Sequence, residues 1–157
     1  ITTADRRVTT AANELAARRQ SPAAAMELAD GTIITGKTSD LLGASAALLL
    51  NALKHLAGIE HEIHVISPTA IEPIQRLKTV YLGSRNPRLH TDEVLIALSM
   101  STNRNPYAQA ALEQLPRLAS CQVHTSVMLS EIDVKTFKKL KVNLTSEAKY
   151  ESDALYH

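Results

Sequence analysis

Between positions 41 and 56 the sequence sets Leu at 41, 42, 48, 49, 50, 53 and 56, and only Ser45, Asn51, Lys54 and His55 are polar among them. The spacing predicts a helix, capped by Thr38, Ser39 or Asp40 and running to about Ala57 before Gly58 stops it. Those leucines cover most of its circumference, and a helix apolar on nearly all sides is buried on more than one face. It must lie against a sheet and also under another helix or a second subunit. The interior around it has to be small and aliphatic: Ala and Leu account for 22 and 21 of 157 residues, aromatics for 3%, with Phe137 the single phenylalanine and no Trp. A chain of this length buries about two-thirds of its unfolded surface, enough for a core without disulfides or metal.

Flanking patterns supply the rest of the architecture. Val8, Ala11, Ala12, Leu15 and Ala16 recur at helical spacing over a first helix of about 4–19, which Thr3 can cap and Ser21-Pro22 ends. Two short runs, 23–28 and 32–35, surround Asp30-Gly31 and predict an antiparallel hairpin. Residues 63–66 form a candidate buried strand. Ser67-Pro68 opens a helix through Leu82, closed by Gly83 and bent early by Pro73. Thr91 caps the next helix, with Asp92 and Glu93 at its positive end. Thr102–Arg104 form a break before Asn105-Pro106 restarts helix to about Leu118. Residues 122–129 alternate as a strand, with Val123, Thr125, Val127 and Leu129 on one side. Ser130 and Asp133 form a capping-box pattern for the helix holding Phe137, and 142–145 is the last strand. Strands alternating with helices give an α/β class, a three-layer α/β/α arrangement with a mixed sheet that begins in an antiparallel hairpin. The whole chain, 1–157, reads as one domain.

Charge and cysteine content narrow the function classes. Seventeen Lys and Arg against sixteen Asp and Glu leave +1, without the clustered basic excess of a nucleic-acid binder. The longest apolar stretch, 46–50, is far short of the roughly 18 residues that span a bilayer. Asp5, Arg6 and Arg7 interrupt any signal-like pattern. Cys121 is the single cysteine, which excludes an internal disulfide and a multi-cysteine zinc site. These features are those of a cytoplasmic chain. Beginning at Ile1 directly ahead of a helix is compatible with a domain cut from something longer.

Residues 31–38, Gly-Thr-Ile-Ile-Thr-Gly-Lys-Thr, formally fit the phosphate-loop template. That template needs a curled loop of backbone N–H groups leading into a helix at its lysine. Here the four central residues are β-branched, prefer extended backbone and follow a turn. No later strand ends in an Asp for magnesium. The segment therefore reads as the second strand of the hairpin, with Gly36 starting a loop.

A second cluster, Arg85, Asn86, Arg88 and His90, crowds a loop that feeds the N-terminus of the Thr91 helix, where donors can hold an anion. With Lys37, these residues are the candidate anion- or partner-binding set, although Asp92 and Glu93 already complement that helix end. His61 and His64 would point to opposite faces of a strand and cannot share an ion. His124 reads as a hydrogen-bonded core histidine and Cys121 as a buried, inert thiol. No metal site and no cofactor are implied, and no catalytic residue can be named.

The blocks at 30–39, 50–57, 92–99, 140–146 and the closing Leu155-Tyr156-His157 together resemble the C-terminal part of the bacterial family known as domain of unknown function 1846. The likeness covers almost the whole chain. It implies a longer parent whose N-terminal portion carries a glycine-rich loop of its own, and it implies no established reaction. Some relatives have carried a label of ATP-dependent peptidase, but no Ser-His-acid spacing, zinc signature or magnesium carboxylate is visible here. The element order also resembles the cytidine deaminase fold, which needs a His or Cys followed two residues later by Glu, then Pro-Cys-x-x-Cys. The corresponding helix start reads Gly43-Ala44-Ser45-Ala46-Ala47, and Thr69-Ala70-Ile71-Glu72 follows Ser67-Pro68. Neither supplies zinc ligands.

The function these features favour is an accessory or assembly domain of a larger cytoplasmic protein, partnered by the missing N-terminal portion and by copies of itself, with no nucleic-acid or membrane partner. The alternative has Lys37, Arg85 and Arg88 completing a nucleotide or phosphorylated-substrate site shared with that missing portion.

Overall fold

At Asp30-Gly31 the chain reverses. Gly31 adopts a φ of 90°, the Thr32 N–H donates to Asp30 Oδ1 at 2.9 Å, and the Leu28 N–H donates to the Thr32 carbonyl at 2.9 Å. The computed structural model, which describes residues 7–60 and 62–147, pairs β1 (Ala23–Glu27) with β2 (Ile33–Lys37) in antiparallel register from Ala23 opposite Lys37 to Glu27 opposite Ile33. The hairpin is as the sequence predicts, and residues 33–37 are pleated strand rather than a phosphate-cupping loop.

β1 also pairs antiparallel with β3 (Gln122–Thr125), and β3 pairs parallel with β4 (Asn143–Ser146), giving a mixed sheet of order β2-β1-β3-β4. The side chains of β1 divide between two layers. Ala25 packs with Val8 and Ala12 of α1 (Arg7–Arg19), while Ala24 and Met26 join the main core built on α2 (Ala44–Leu56). Helices therefore cover both faces, as the three-layer α/β/α reading requires. α4 (Thr91–Ser101) and α5 (Pro106–Leu112) cover the side of α2 away from the sheet, so its all-round apolar surface is buried within the chain without a second subunit. α3 (Pro68–Arg76) continues into a π-helical turn at Leu77–Tyr81, and Gly83 (φ 73°) ends the segment. α6 (Glu131–Lys139) makes the crossover to β4. No helix among the described residues is long and apolar enough to cross a membrane.

Several sequence expectations are corrected. Gly36 is not a loop start: it lies inside β2, where a Cβ would overlap the backbone nitrogen of Leu48 and stand 2.7 Å from the Ala44 carbonyl oxygen. Its bare Cα is what lets β2 pack directly on α2. Residues 63–66 form no strand. Val65 and Ile66 are buried, but the Asn105 amide donates to the His64 carbonyl at 3.0 Å, supplying the partner a neighbouring strand would have given. β3 stops at Thr125 because β1 has run out at Pro22; beyond it, the Ser126 N–H donates to the Ala23 carbonyl at 2.9 Å. α2 begins at Ala44, with Gly43 rather than Thr38, Ser39 or Asp40 at its cap. The Ser39 hydroxyl is occupied by the N–H groups of Leu41 and Leu42. His90, not Thr91, is the cap residue of α4. The first helix is described only from Arg7, so Thr3 lies outside the described residues, as do His61 and the closing Leu155-Tyr156-His157.

Candidate functional site

One backbone bridge brings the Arg85–His90 loop to the start of α2. The Leu89 N–H donates to the Leu41 carbonyl at 3.0 Å, and the Gly43 N–H donates to the Leu89 carbonyl at 3.2 Å. Leu89 is 1% exposed and sits in the core. Its neighbours on an extended backbone project to the other side, so Arg88 and His90 flank the first turn of α2. Arg88 Nε donates to the Ser39 carbonyl at 2.6 Å, which fixes the guanidinium against the segment preceding that helix. Asn86 Oδ1 accepts the Arg88 N–H at 3.0 Å, closing the loop on itself. From beneath, Lys78 Nζ donates to the Arg88 carbonyl and, at 2.8 Å, to Glu93 Oε1. Glu93 in turn accepts the His90 N–H at 2.8 Å.

His90 is also held by α6. Its Nδ1 lies 3.4 Å from Asp133 Oδ2, and Asp133 Oδ1 accepts both the N–H and the hydroxyl of Thr91, at 2.9 and 2.7 Å. The hydrogen bond to Asp133 raises the imidazole pKa above its ordinary value; burial and the Lys78 charge oppose this, while the charges of Asp133 and Glu93 reinforce it. Burial works against the ionised form of Asp133, but the hydrogen bonds from His90 and Thr91 outweigh it and hold the carboxyl below its ordinary range. Each partner therefore favours the charged form of the other. Ser130 caps α6, accepting the Asp133 N–H at 3.4 Å. The Asp133 side chain is spent on the neighbouring helix instead of returning the second bond of a capping box.

These elements enclose a small pocket of about 40 Å³, lined by Gly43, Ser45, Asn86, Arg88, His90 and Asp133 among others. Of the residues singled out from sequence, Asn86, Arg88 and His90 meet here. Lys37 and Arg85 are exposed and outside the lining. The sequence reading missed Ser45 and Asp133, which arrive from elements 45 and 43 residues away from His90. The signal available for Ser45 was a helix start, Gly43-Ala44-Ser45, without a capping side chain. Ser45, His90 and Asp133 share the types of a nucleophile–base–acid relay, but Ser45 Oγ makes no hydrogen bond, so the three are not connected as one.

Elsewhere, burial raises the Cys121 thiol pKa, and its Sγ lies 3.7 Å from the Arg117 carbonyl, an unreactive setting. His124, fully buried, is held by Thr145 Oγ1 at 2.7 Å and Glu147 Oε2 at 2.8 Å. It is the satisfied core histidine the sequence suggests. Among the described residues no group of three or more His, Cys, Asp or Glu side chains could hold a metal ion.

The family described as "Domain of unknown function DUF1846, C-terminal" matches residues 4–156. The chain belongs to it. It is 62% identical over 154 residues to a UPF0371 protein of Corynebacterium urealyticum, covering 98% of this chain and 31% of that protein. It is 57% identical over 145 residues to a UPF0371 protein of Corynebacterium diphtheriae (92% and 29%). A UPF0371 protein of Streptococcus pneumoniae is 44% identical over 156 residues (99% and 32%). The chain thus spans less than a third of the length of these relatives.

Proposed function

We propose that this chain is an accessory domain at the C-terminal end of a longer cytoplasmic polypeptide, and that it docks onto the preceding part of that polypeptide through the apolar surface of the π-helical turn and α4. The observation that carries this reading is a set of large apolar side chains left in water on and beside these two elements: Leu82 is 72% exposed, Tyr81 68%, Val80 64%, Met100 75% and Ile96 57%. The Lys78–Glu93 ion pair ties the two elements that bear them. Between α3 and α4 lies a groove of about 800 Å³, with Val65, Ala70, Pro73, Ile74 and Met100 in its wall. Large apolar side chains exposed on two linked elements beside such a groove suit an interaction surface. The occupant is the remainder of the parent chain, because relatives that match this chain over nearly its full length carry more than twice as much again of polypeptide.

A second reading, in which Lys37, Arg85 and Arg88 complete a nucleotide or phosphorylated-substrate site with that remainder, has one supporting observation: Arg88 lines the pocket.

Co-expression of the preceding part of the parent and this chain as separate polypeptides tests the docking. The two should co-purify, and the double substitution Leu82→Ser with Met100→Ser should separate them without lowering the thermal midpoint of this chain. Two species that never associate would overturn the proposal, as would a homodimer of this chain abolished by the same substitutions, which would give the surface to a second copy.

A further inference from the structure

We infer that the pocket at the start of α2 is a receptor for a single oxyanionic group, the phosphoryl or carboxylate end of a ligand, seated on the helix N-terminus and on the Ser45 hydroxyl. This is independent of the docking surface and is complete within the described residues of this chain. The first-turn N–H groups of Ala44, Ser45 and Ala46 have no intrahelical acceptor, as in any α-helix. Gly43, the cap residue, has no side chain to satisfy them, and its own N–H is given to Leu89. Uncapped amides at the positive end of a 13-residue helix form an anion-binding arrangement.

The second, independent observation is Ser45. Its side chain is 4% exposed and lines the pocket, and Oγ has no hydrogen-bond partner. A buried hydroxyl left unsatisfied costs about 1–3 kcal/mol, so an unpaired donor on a pocket-lining residue is short of an acceptor. The surroundings favour a negative one. Arg88 spends Nε on Ser39, and its terminal nitrogens donate no hydrogen bond among the described residues. The Asp133 hydrogen bond and charge favour the protonated form of the His90 imidazole. The one carboxylate in the lining does not compete for these donors: Thr91 occupies Oδ1 and His90 faces Oδ2. Room for about three water-sized atoms, at roughly 10–15 Å³ each, is on the scale of one phosphoryl or carboxylate group.

The test is an amide-shift NMR titration of the full chain with inorganic phosphate, and in parallel with acetate, at constant ionic strength and pH 6. Saturable shifts at Ala44, Ser45 and Ala46 are expected. Ser45→Ala and Arg88→Gln should each weaken binding at least tenfold, and Arg19→Gln, which removes an exposed charge on α1, should leave it unchanged. Tighter phosphate than acetate assigns a phosphoryl group, and the reverse assigns a carboxylate. Ser45→Ala should also retain or raise the thermal midpoint without ligand, because it removes an unsatisfied hydroxyl. Absence of saturable shifts with both anions up to 50-fold excess would overturn the inference. So would binding that Ser45→Ala leaves intact, since the hydroxyl would then be merely hydrated.

Discussion

Asp133 on α6 and Thr91 at the first position of α4 are joined by two hydrogen bonds to one carboxylate oxygen, at 2.9 and 2.7 Å across 42 residues of chain. Thr91 is fully buried, so this oxygen answers for two groups that water cannot reach. Asp133→Ala should cost about 2–4 kcal/mol, the penalty of leaving a buried N–H and hydroxyl without an acceptor. Asp133→Asn, which keeps an oxygen in place, should cost less than half as much. Urea denaturation measures both, and equal losses would show that hydrogen-bond geometry is not what the carboxylate supplies.

The His90–Asp133 contact makes stability depend on pH in two directions. The raised His90 pKa contributes stability that is complete below the ordinary imidazole value of 6.5 and lost as pH rises through the folded value above it. The lowered Asp133 pKa contributes stability present above the ordinary carboxyl value of 3.8 and lost as pH falls through the folded value below it. The charges of Lys78 and Glu93 also act on His90, and Arg88 lies beside it in the pocket wall. Thermal midpoints measured from pH 5 to 9 should therefore decline on the alkaline side. His90→Gln should flatten that decline, and an unchanged slope would place its origin elsewhere.

Gly36→Ala should destabilise the chain by about 3 kcal/mol or more, beyond the usual cost of an overpacked methyl. The added Cβ would meet backbone atoms of Leu48 and Ala44 rather than the yielding end of a side chain. Denaturant midpoints decide it: a loss below about 1 kcal/mol would mean that β2 and α2 can separate freely.

The local signals in the sequence were good guides to this fold. Asp30-Gly31 fixed the hairpin, the leucine spacing fixed α2, and the β-branched run 32–35 correctly outweighed the phosphate-loop spelling. What escaped was set by distant partners. The apolar run 63–66 is buried without pairing because Asn105, a side chain 40 residues on, takes its carbonyls. Thr91 looks like a helix cap, but Asp133 claims its hydroxyl and His90 becomes the cap residue. The same holds for the site. Asn86, Arg88 and His90 were legible as a polar loop, whereas Ser45 joins them only through the Leu89 bridge to Leu41 and Gly43. Lys37, adjacent in the formal motif, stays outside the pocket.

Hydrogen–deuterium exchange, comparing this chain alone with the same residues inside the full-length parent, addresses the docking surface most directly. In the parent, peptides covering 77–82 and 96–101 should exchange at least tenfold more slowly, with α1 peptides unaffected. Identical exchange of the two apolar segments in both forms would contradict an accessory domain seated on the rest of its own chain.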